Sequence, residues 1–96
     1  MSLSIMQGQK ICYICRKKYL VWTEANLEEH HVLNGALRDF SEQYGLKVYL
    51  CHRHHNEPPE GVHHNAAMSD WLKGEAQKTF EYLYGHDRWM KEVGKD

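Results

Sequence analysis

Five of the eight histidines in this 96-residue chain, and one of its three cysteines, fall within residues 51–64. Thiolate sulfur and imidazole nitrogen are the side-chain ligands that transition metals favour in proteins, and imidazole also exchanges protons near neutral pH. A Cys-x-x-Cys pair, Cys12 and Cys15, and a His-His pair, His30 and His31, lie upstream. The sequence therefore predicts two metal-dependent sites in one small fold.

Length, composition and cysteine count limit the class of protein. Ninety-six residues, 42% of them hydrophobic, form one domain with a modest core, and a structural metal would add the stability that so small a core lacks. Three cysteines with no signal peptide before them argue against disulfides and favour a reducing cytoplasm. No apolar run approaches the ~20 residues that span a bilayer, so we expect no membrane contact. We expect a leader at residues 1–9, partly derived from an expression vector, and a single domain at residues 10–96.

Four segments in the first half of the chain are predicted to be extended. Residues 11–15 are predicted as a short strand that enters a tight turn, and residues 19–22 are β-prone and could return from it. Residues 27–32 are predicted as a strand that ends at the turn formed by Asn34 and Gly35, and residues 47–50 as the next strand.

Helical patterns follow the strands. Residues 36–44 carry Leu37, Phe40 and Tyr44 on one face, and Gly45 is predicted to end this helix. The two strands, their long connection and a following helix begin to resemble a ββα unit.

The second half is predicted to be mainly helical. Residues 57–61 form a loop, because two prolines and a glycine disrupt both helix and strand. Residues 66–84 are predicted as a helix with Gly85 as its cap, and Trp89 and Met90 suggest a short final helix. We assign the apolar stripe of the long helix to core packing; it consists of Met68, Trp71, Leu72, Phe80, Leu83 and Tyr84.

Two chelating pairs indicate a structural zinc site. Cys12 and Cys15 form one pair and Cys51 and His54 the other, each with two intervening residues. That spacing lets one tight turn present two ligands to a tetrahedral ion, and two such turns supply four. The alternative is that the cysteines are buried small hydrophobic residues and His54 lies on the surface. The thirty-five residues between the pairs exceed a usual zinc-finger separation, so an insertion is expected there.

The order of the histidines resembles the HNH nuclease family, also called the ββα-metal or His-Me finger nucleases. It is closest to small phage-type members, including the RecA-dependent nuclease branch, in which a zinc knuckle flanks the catalytic core. The resemblance covers about residues 12–76. The segments that carry it are Cys12-Tyr13-Ile14-Cys15, Glu29-His30-His31-Val32, Leu50-Cys51-His52-Arg53-His54-His55 and Val62-His63-His64.

This resemblance implies an α+β fold: a small zinc-stabilised ββα-metal domain with a Cys-x-x-Cys/Cys-x-x-His knuckle and C-terminal helices. The implied activity is metal-dependent hydrolysis of DNA phosphodiester bonds. The implied setting is phage or prophage DNA processing or recombination, in the cytoplasm of a bacterial host cell.

The resemblance also implies roles for single residues. His31 is the general base that deprotonates a water, a role that suits an imidazole with an unperturbed pKa of ~6.5. His30, His55 and one of His63 or His64 hold the catalytic metal. Three imidazoles without a carboxylate suit Zn²⁺, Ni²⁺ or Mn²⁺ better than Mg²⁺, and the identity of this divalent ion stays open.

The chain departs from the family pattern ahead of the second knuckle. HNH proteins usually carry an asparagine there that helps to orient the base, and residues 45–50 contain none. Asn34 could serve in part, or a backbone carbonyl could orient the imidazole. Neighbours on a regular strand point to opposite faces, so His30 and His31 can share one site only at a distorted strand end.

The last ligand also departs from the pattern, because it lies eight or nine residues beyond His55. We favour His63 as this ligand. His64 sits where a helix would begin, and it could contact phosphate instead.

DNA contacts are predicted by position and charge. Arg38, Arg53 and His64 are candidates for phosphate contact, which positions DNA without specifying sequence. We therefore expect nicking or structure-directed cleavage, with specificity supplied by a partner such as a recombinase filament or a phage terminase.

A basic cluster surrounds the first two cysteines, although the formal charge of the whole chain is only −1. The cluster contains no acid, and it consists of Lys10, Arg16, Lys17 and Lys18. It is either a solvated lysine-rich loop or, beside the metal motifs, a nucleic-acid contact.

Two alternative functions compete with the nuclease. One is a non-catalytic zinc module that binds nucleic acid or protein, which the missing asparagine favours. The other is a metal-storage or sensor domain, which leaves the ordered His-His pair unexplained.

Overall fold

The computed structural model describes residues 3–94, which form five α-helices, a 3-10 turn and a two-stranded sheet. In chain order these are α1 Tyr13–Tyr19, β1 Leu27–His31, the 3-10 turn Gly35–Leu37, α2 Arg38–Tyr44, β2 Lys47–Cys51, α3 His52–His55, α4 Ala66–Tyr84 and α5 His86–Glu92. The protein is thus a small compact α+β domain, as predicted at the level of fold class. Within residues 3–94, no helix is both long enough and apolar enough to cross a membrane.

The sheet is an antiparallel pair in which Leu27 lies opposite Cys51 and His31 lies opposite Lys47. The strands predicted at residues 27–32 and 47–50 are confirmed, each to within one residue at its ends. This register brings the start of β1 beside the end of β2, where α3 begins. Side chains of β1 and of α3 therefore meet at one end of the sheet.

The prediction of a strand at residues 11–15 is wrong, because α1 begins at Tyr13. The Sγ atom of Cys12 caps this helix by accepting a 3.5 Å hydrogen bond from the backbone N–H of Cys15. The β-prone residues 19–22 also form no strand: α1 continues to Tyr19, and Leu20 then turns with a left-handed backbone. The error arises because a capped Cys-x-x-Cys turn can lead into a helix as well as out of a strand.

The connection between the strands contains the predicted helix in two parts, the 3-10 turn and α2. Gly45 ends α2 with a φ of 70°, which favours glycine. A Cβ atom there would also collide with the carbonyl oxygen of Leu3. The described part of the expected leader therefore lies against the domain: Ile5 donates to the Gly45 carbonyl at 2.9 Å, and Gln7 accepts from the Tyr49 N–H at 2.6 Å.

The long helix α4 has the bounds that its sequence pattern predicts. The Asn65 side chain caps it by accepting a 3.0 Å hydrogen bond from the Met68 N–H. Phe80 is fully buried and packs 5.6 Å from the ring of Trp89 in α5. Leu83, predicted in the apolar stripe, is instead half exposed, because the stripe turns out of the core in the last turn of the helix.

Candidate metal centres

Three cysteines and one histidine form the first possible metal-binding group, Cys12, Cys15, Cys51 and His54. The Nδ1 atom of His54 lies 3.7, 3.4 and 3.3 Å from the three sulfur atoms in that order, and the sulfur atoms of Cys15 and Cys51 are 3.9 Å apart. A tetrahedral ion with bonds of ~2.3 Å to sulfur and ~2.05 Å to nitrogen separates its ligands by about 3.6–3.8 Å. The geometry is compatible with a structural metal such as zinc.

Two helix beginnings and the sheet bring these ligands together. Cys12 caps α1 and Cys15 lies in its first turn, while Cys51 is the last residue of β2 and His54 follows in α3. The intervening residues, 16–50, hold β1 and α2 and fold back through the sheet. The long insertion between the two chelating pairs therefore does not separate them in space.

Burial makes an ionised Cys12 thiolate unfavourable unless a cation lies beside it. Cys12 is fully buried, and this burial raises the pKa of its thiol to about 12. A thiolate at this position therefore requires a positive charge beside it. Burial also lowers the pKa of His54, which favours the neutral imidazole that a metal ligand requires.

The second ring nitrogen of His54, Nε2, lies near a carboxylate. Nε2 is buried and makes no hydrogen bond within the described residues, and the nearest charged partner is Glu60 Oε2 at 3.8 Å. That distance is too long for a hydrogen bond, so only an electrostatic contact joins them. A metal-bound imidazole commonly directs its second nitrogen at a carboxylate, so this arrangement also fits a metal on Nδ1.

Three imidazoles form the second possible metal-binding group, with one ligand nitrogen from each of His30, His55 and His63 within 4.8 Å of the others. The Nε2 atoms of His55 and His63 are 3.0 Å apart. The ring centroid of His30 lies 5.1 Å from that of His55 and 5.3 Å from that of His63. The structure thus brings together the three histidines that the family resemblance assigned to a catalytic metal.

The loop after α3 explains why residues eight positions apart meet. Val62 donates to the His54 carbonyl at 2.8 Å, and His63 donates to the His55 carbonyl at 3.3 Å. The loop can turn back so tightly because Gly61 has no Cβ atom. A Cβ at this position would crowd the backbone of Glu57. His64 lies outside the group, exposed, just before the cap of α4.

A carboxylate that sequence reasoning missed supports the second group. Glu28 accepts from His55 Nδ1 at 2.7 Å and from His52 Nδ1 at 3.0 Å, and these contacts lower the pKa of its carboxyl group. With Nδ1 of His55 donating to Glu28, Nε2 is left to face His63. A signal for this role exists in the sequence, because Glu28 and His30 are two apart on one strand and so share a face.

Two imidazoles of the second group, His30 and His63, have lowered pKa values. Burial, followed by repulsion from His55 and His63, lowers the pKa of His30 to about 3. Lys73 of α4 contributes to the same shift, which places a positive charge near the group. Burial also lowers the pKa of His63. Neutral imidazoles have the free lone pairs that metal binding requires.

His31 takes part in a different network. Its Nε2 atom lies 2.9 Å from Glu42 Oε1, and Glu42 Oε2 lies 2.9 Å from the buried ammonium of Lys47. Lys47 also lies 3.7 Å from Glu29. The strand is regular up to His31, so His30 and His31 face opposite ways, although the charge of His31 still helps to lower the pKa of His30.

Glu42 thus makes the contact to His31 that was expected from Asn34 or a backbone carbonyl. Asn34 instead precedes the 3-10 turn and lines a cavity of about 440 Å³ with Asp70 and Lys73. The signal that could have found Glu42 is weak, because only the packing of α2 beside β1 brings it near His31.

The predicted phosphate contacts differ in their availability. Arg38 is exposed at the start of α2. Arg53 is exposed but forms a bidentate ion pair with Glu60, with distances of 2.6 and 2.8 Å. Lys73, which sequence reasoning missed, is the last and smallest of the charges that lower the pKa of His30.

Comparisons with known proteins identify no relative: no family model matches the chain, and neither a curated protein nor a solved structure matches it. The features that bear on function are therefore the two groups described above and a third possible metal-binding group, which consists of Glu29, His31 and Glu42.

Proposed function

We propose that this protein is a metal-dependent endonuclease of the HNH type that hydrolyses DNA phosphodiester bonds. The observation that carries the proposal is the convergence of His30, His55 and His63. His31, the proposed general base, is the next residue after His30 but faces the opposite side of β1, toward Glu29 and Glu42. Three imidazoles, one of them exposed, form a ligand set that leaves positions open for substrate. An antiparallel strand pair followed by helices also supports a ββα-metal core.

The chemistry that a bound divalent ion supplies at these imidazoles is stabilisation of negative charge on the scissile phosphate and on the leaving oxygen. His31 is proposed to take the proton of the attacking water on the strength of the family resemblance, since it lies on the face of β1 opposite His30. Its Nε2–H donates to Glu42, which leaves Nδ1 as the nitrogen that accepts this proton. Lys47 donates to Glu42 Oε2 at 2.9 Å and so holds this carboxylate in place beside His31, the orienting role that the missing asparagine has in the family.

The first group is proposed to hold zinc. Three thiolates and one imidazole form a Cys₃His set, which is typical of structural zinc sites. Its role is to fix α1 to the end of β2, and α3 then carries His55 into the second group. The second ion is proposed as Zn²⁺, Mn²⁺, Ni²⁺ or Mg²⁺, with imidazole ligands favouring the first three.

DNA is the proposed substrate, and Arg38, His64 and Lys73 are the proposed phosphate contacts. Arg53 would join them only after its ion pair with Glu60 opens. A recombinase filament or a terminase is the proposed source of specificity, in the cytoplasm of a bacterial host.

A non-catalytic zinc module is the second candidate function. The network of His31 with Glu42 and Lys47 favours it, because a buried ion pair could explain this histidine without any chemistry. In that case the second group binds no ion that matters for function, and the partner is nucleic acid or protein.

Cleavage of supercoiled plasmid tests the proposal. The protein with Mn²⁺ or Mg²⁺ should convert plasmid to nicked or linear forms. His31→Ala should slow this conversion by about 10²–10⁴-fold, the usual contribution of general-base catalysis. His86→Ala, in α5, is the matched histidine control and should cut like the parent.

His63→Ala separates the two metal centres in the same assay. It should abolish cutting while one zinc per chain remains bound and the circular dichroism spectrum is unchanged. Equal rates for His31→Ala and the parent would exclude the proposed base, and absence of cutting with every divalent ion would favour the second candidate.

A further inference from the structure

The exposed part of α1 is strongly basic. Arg16, Lys17 and Lys18 occupy its last turn, Lys10 precedes it, and residues 10–23 contain no acid. The whole chain has twelve basic and thirteen acidic residues, so setting these four aside leaves eight basic residues against thirteen acids. This surface is therefore positive on an otherwise acidic protein.

Large apolar side chains are exposed beside these charges. Tyr19, Leu20, Val21 and Trp22 are 57, 65, 50 and 56% exposed. Such a run of exposed apolar residues is unusual for a monomer and commonly marks a binding surface. None of the four belongs to the buried core or to the partly buried hydrophobic residues packed against it. Tyr19 stacks on the ring of His54 at 5.8 Å, so Trp22 is the exposed aromatic ring of the run that the proposal uses.

The backbone fixes this run in place. Leu20 has a φ of 56°, which a branched side chain rarely adopts, and the Val21 N–H donates to the Cys15 carbonyl at 3.1 Å. Cys12 in turn donates to the Thr23 carbonyl at 2.9 Å. The chain after α1 therefore folds back along the helix and holds Trp22 beside it.

Each cation of α1 lies over an aromatic ring. The Arg16 guanidinium is 4.7 Å from the centroid of Trp22, and the Lys18 ammonium is 4.4 Å from that of Trp71. A positive charge next to an exposed ring is the combination that binds single-stranded nucleic acid, because the charge meets a phosphate and the ring stacks on a base.

We propose that this surface binds single-stranded DNA, with Trp22 stacked on an unpaired base and Arg16, Lys17 and Lys18 on the adjacent phosphates. A single strand is favoured over a duplex because duplex bases already stack on each other and offer no free face. The choice of DNA rests on the proposed nuclease function. A lipid surface is disfavoured because α1 has only seven residues, too few for an amphipathic helix that lies in a membrane interface.

Fluorescence anisotropy with a labelled 20-nucleotide oligothymidylate tests this inference. The zinc-loaded full chain carrying His31→Ala is used, so that no cutting interferes. Adding Trp22→Ala should weaken binding about 5- to 150-fold, the range for loss of one base–aromatic stack. Trp22→Phe should restore most of the affinity, and Tyr82→Ala, which removes an aromatic residue that is 88% exposed on α4, should have no effect.

The salt dependence of binding tests the phosphate contacts. Replacing Lys17 and Lys18 together by alanine should lower the slope of log affinity against log salt by about 1.4, since each single-strand phosphate contact contributes about 0.7. The matched control replaces Lys78 and Lys91, two exposed lysines of α4 and α5, and should keep the parental slope.

Three results would overturn the inference: equal affinity for Trp22→Ala and Tyr82→Ala, tighter binding to a 20-base-pair duplex than to the single strand, or binding that depends on Trp22 only with phosphatidylglycerol vesicles. The nuclease proposal fails separately. A parent chain that binds the oligonucleotide through Trp22 but cuts no plasmid contradicts cleavage and leaves this surface supported.

Discussion

The possible metal-binding group of Cys12, Cys15, Cys51 and His54 and that of His30, His55 and His63 meet at α3 but differ in burial and in ligand chemistry. His54 turns into a buried cluster with three cysteines, while its neighbour His55 joins an imidazole cluster that includes the exposed His63. Adjacent residues on a helix point about 100° apart, so one short helix can serve both groups. Burial with thiolate ligands is typical of a closed structural site, and partial exposure with imidazole ligands is typical of an open one. Position on one element thus decides which of two histidines joins the buried group and which joins the partly exposed one.

The largest expected effect comes from removing a ligand of the closed group, that is, the buried group of Cys12, Cys15, Cys51 and His54. Cys51→Ser should release the metal and unfold the domain, because structural zinc contributes on the order of 10 kcal/mol and a small domain is stable by only ~5–15 kcal/mol. Metal content by mass spectrometry under native conditions and thermal unfolding by circular dichroism measure this.

The open group, that is, the partly exposed group of His30, His55 and His63, supplies the matched control for that prediction. His63→Ala should lower the thermal midpoint by no more than a few degrees, because the side chain is exposed and fills no core space. A Cys51→Ser protein that stays folded without metal would contradict a structural role for the closed group.

Lowering the pH should reveal the contribution of His30, in the open group, to the free energy of unfolding. Burial lowers the pKa of His30 from its ordinary value of 6.5 to about 3, so between these pH values the unfolded chain binds a proton that the folded chain does not. The free energy of unfolding should therefore fall as pH falls from 6.5 towards 3, by up to about 1.4 kcal/mol per pH unit from this group.

His30→Gln isolates that contribution. Urea denaturation of both proteins at pH 7, 6, 5 and 4, with no second metal added, measures it, because acid release of the structural metal affects both alike. The slope should be smaller in the variant. Parallel curves for the two proteins would show that His30 does not stay neutral in the folded state.

The smallest expected effect concerns the carboxylate behind the open group. Glu28→Gln weakens the acceptor for His55 Nδ1 and should lower Ni²⁺ affinity at the imidazoles about 10- to 100-fold, as loss of such partners usually does. Isothermal titration of zinc-loaded protein with Ni²⁺ measures it. Glu24→Gln, exposed ahead of β1, is the control, and an equal loss in both variants would exclude a specific role for Glu28.

Local patterns in the sequence predicted much of the fold. Strands β1 and β2 and helix α4 lie where alternation, helical periodicity and the Gly45 and Gly85 stops indicated. Helix α1 was missed because its first residue is set by a cap from the Cys12 side chain. Cysteine is not among the residues that usually cap helices, so the sequence carries no clear start signal there. Its exposed continuation at residues 19–22 is β-prone by composition but has no neighbouring strand to pair with.

Ligand spacing predicted which cysteines and histidines could share an ion, because chelating pairs two residues apart require only a local turn. Glu28 and Glu42 escaped prediction because their contacts join segments 27 and 11 residues apart. Such contacts exist only after the strands pair and the helices pack.

The sequence by itself determined the donor chemistry: three thiols and a set of imidazoles with the spacing to chelate. Only the tertiary structure decided how these donors are divided, with His30 and His31 on opposite faces of β1 and His63 returned to His55 by a tight loop. The physical reason is that ligand type and local spacing are properties of a short segment. Burial, charge environment and the second partner of each imidazole depend on segments far apart in the chain.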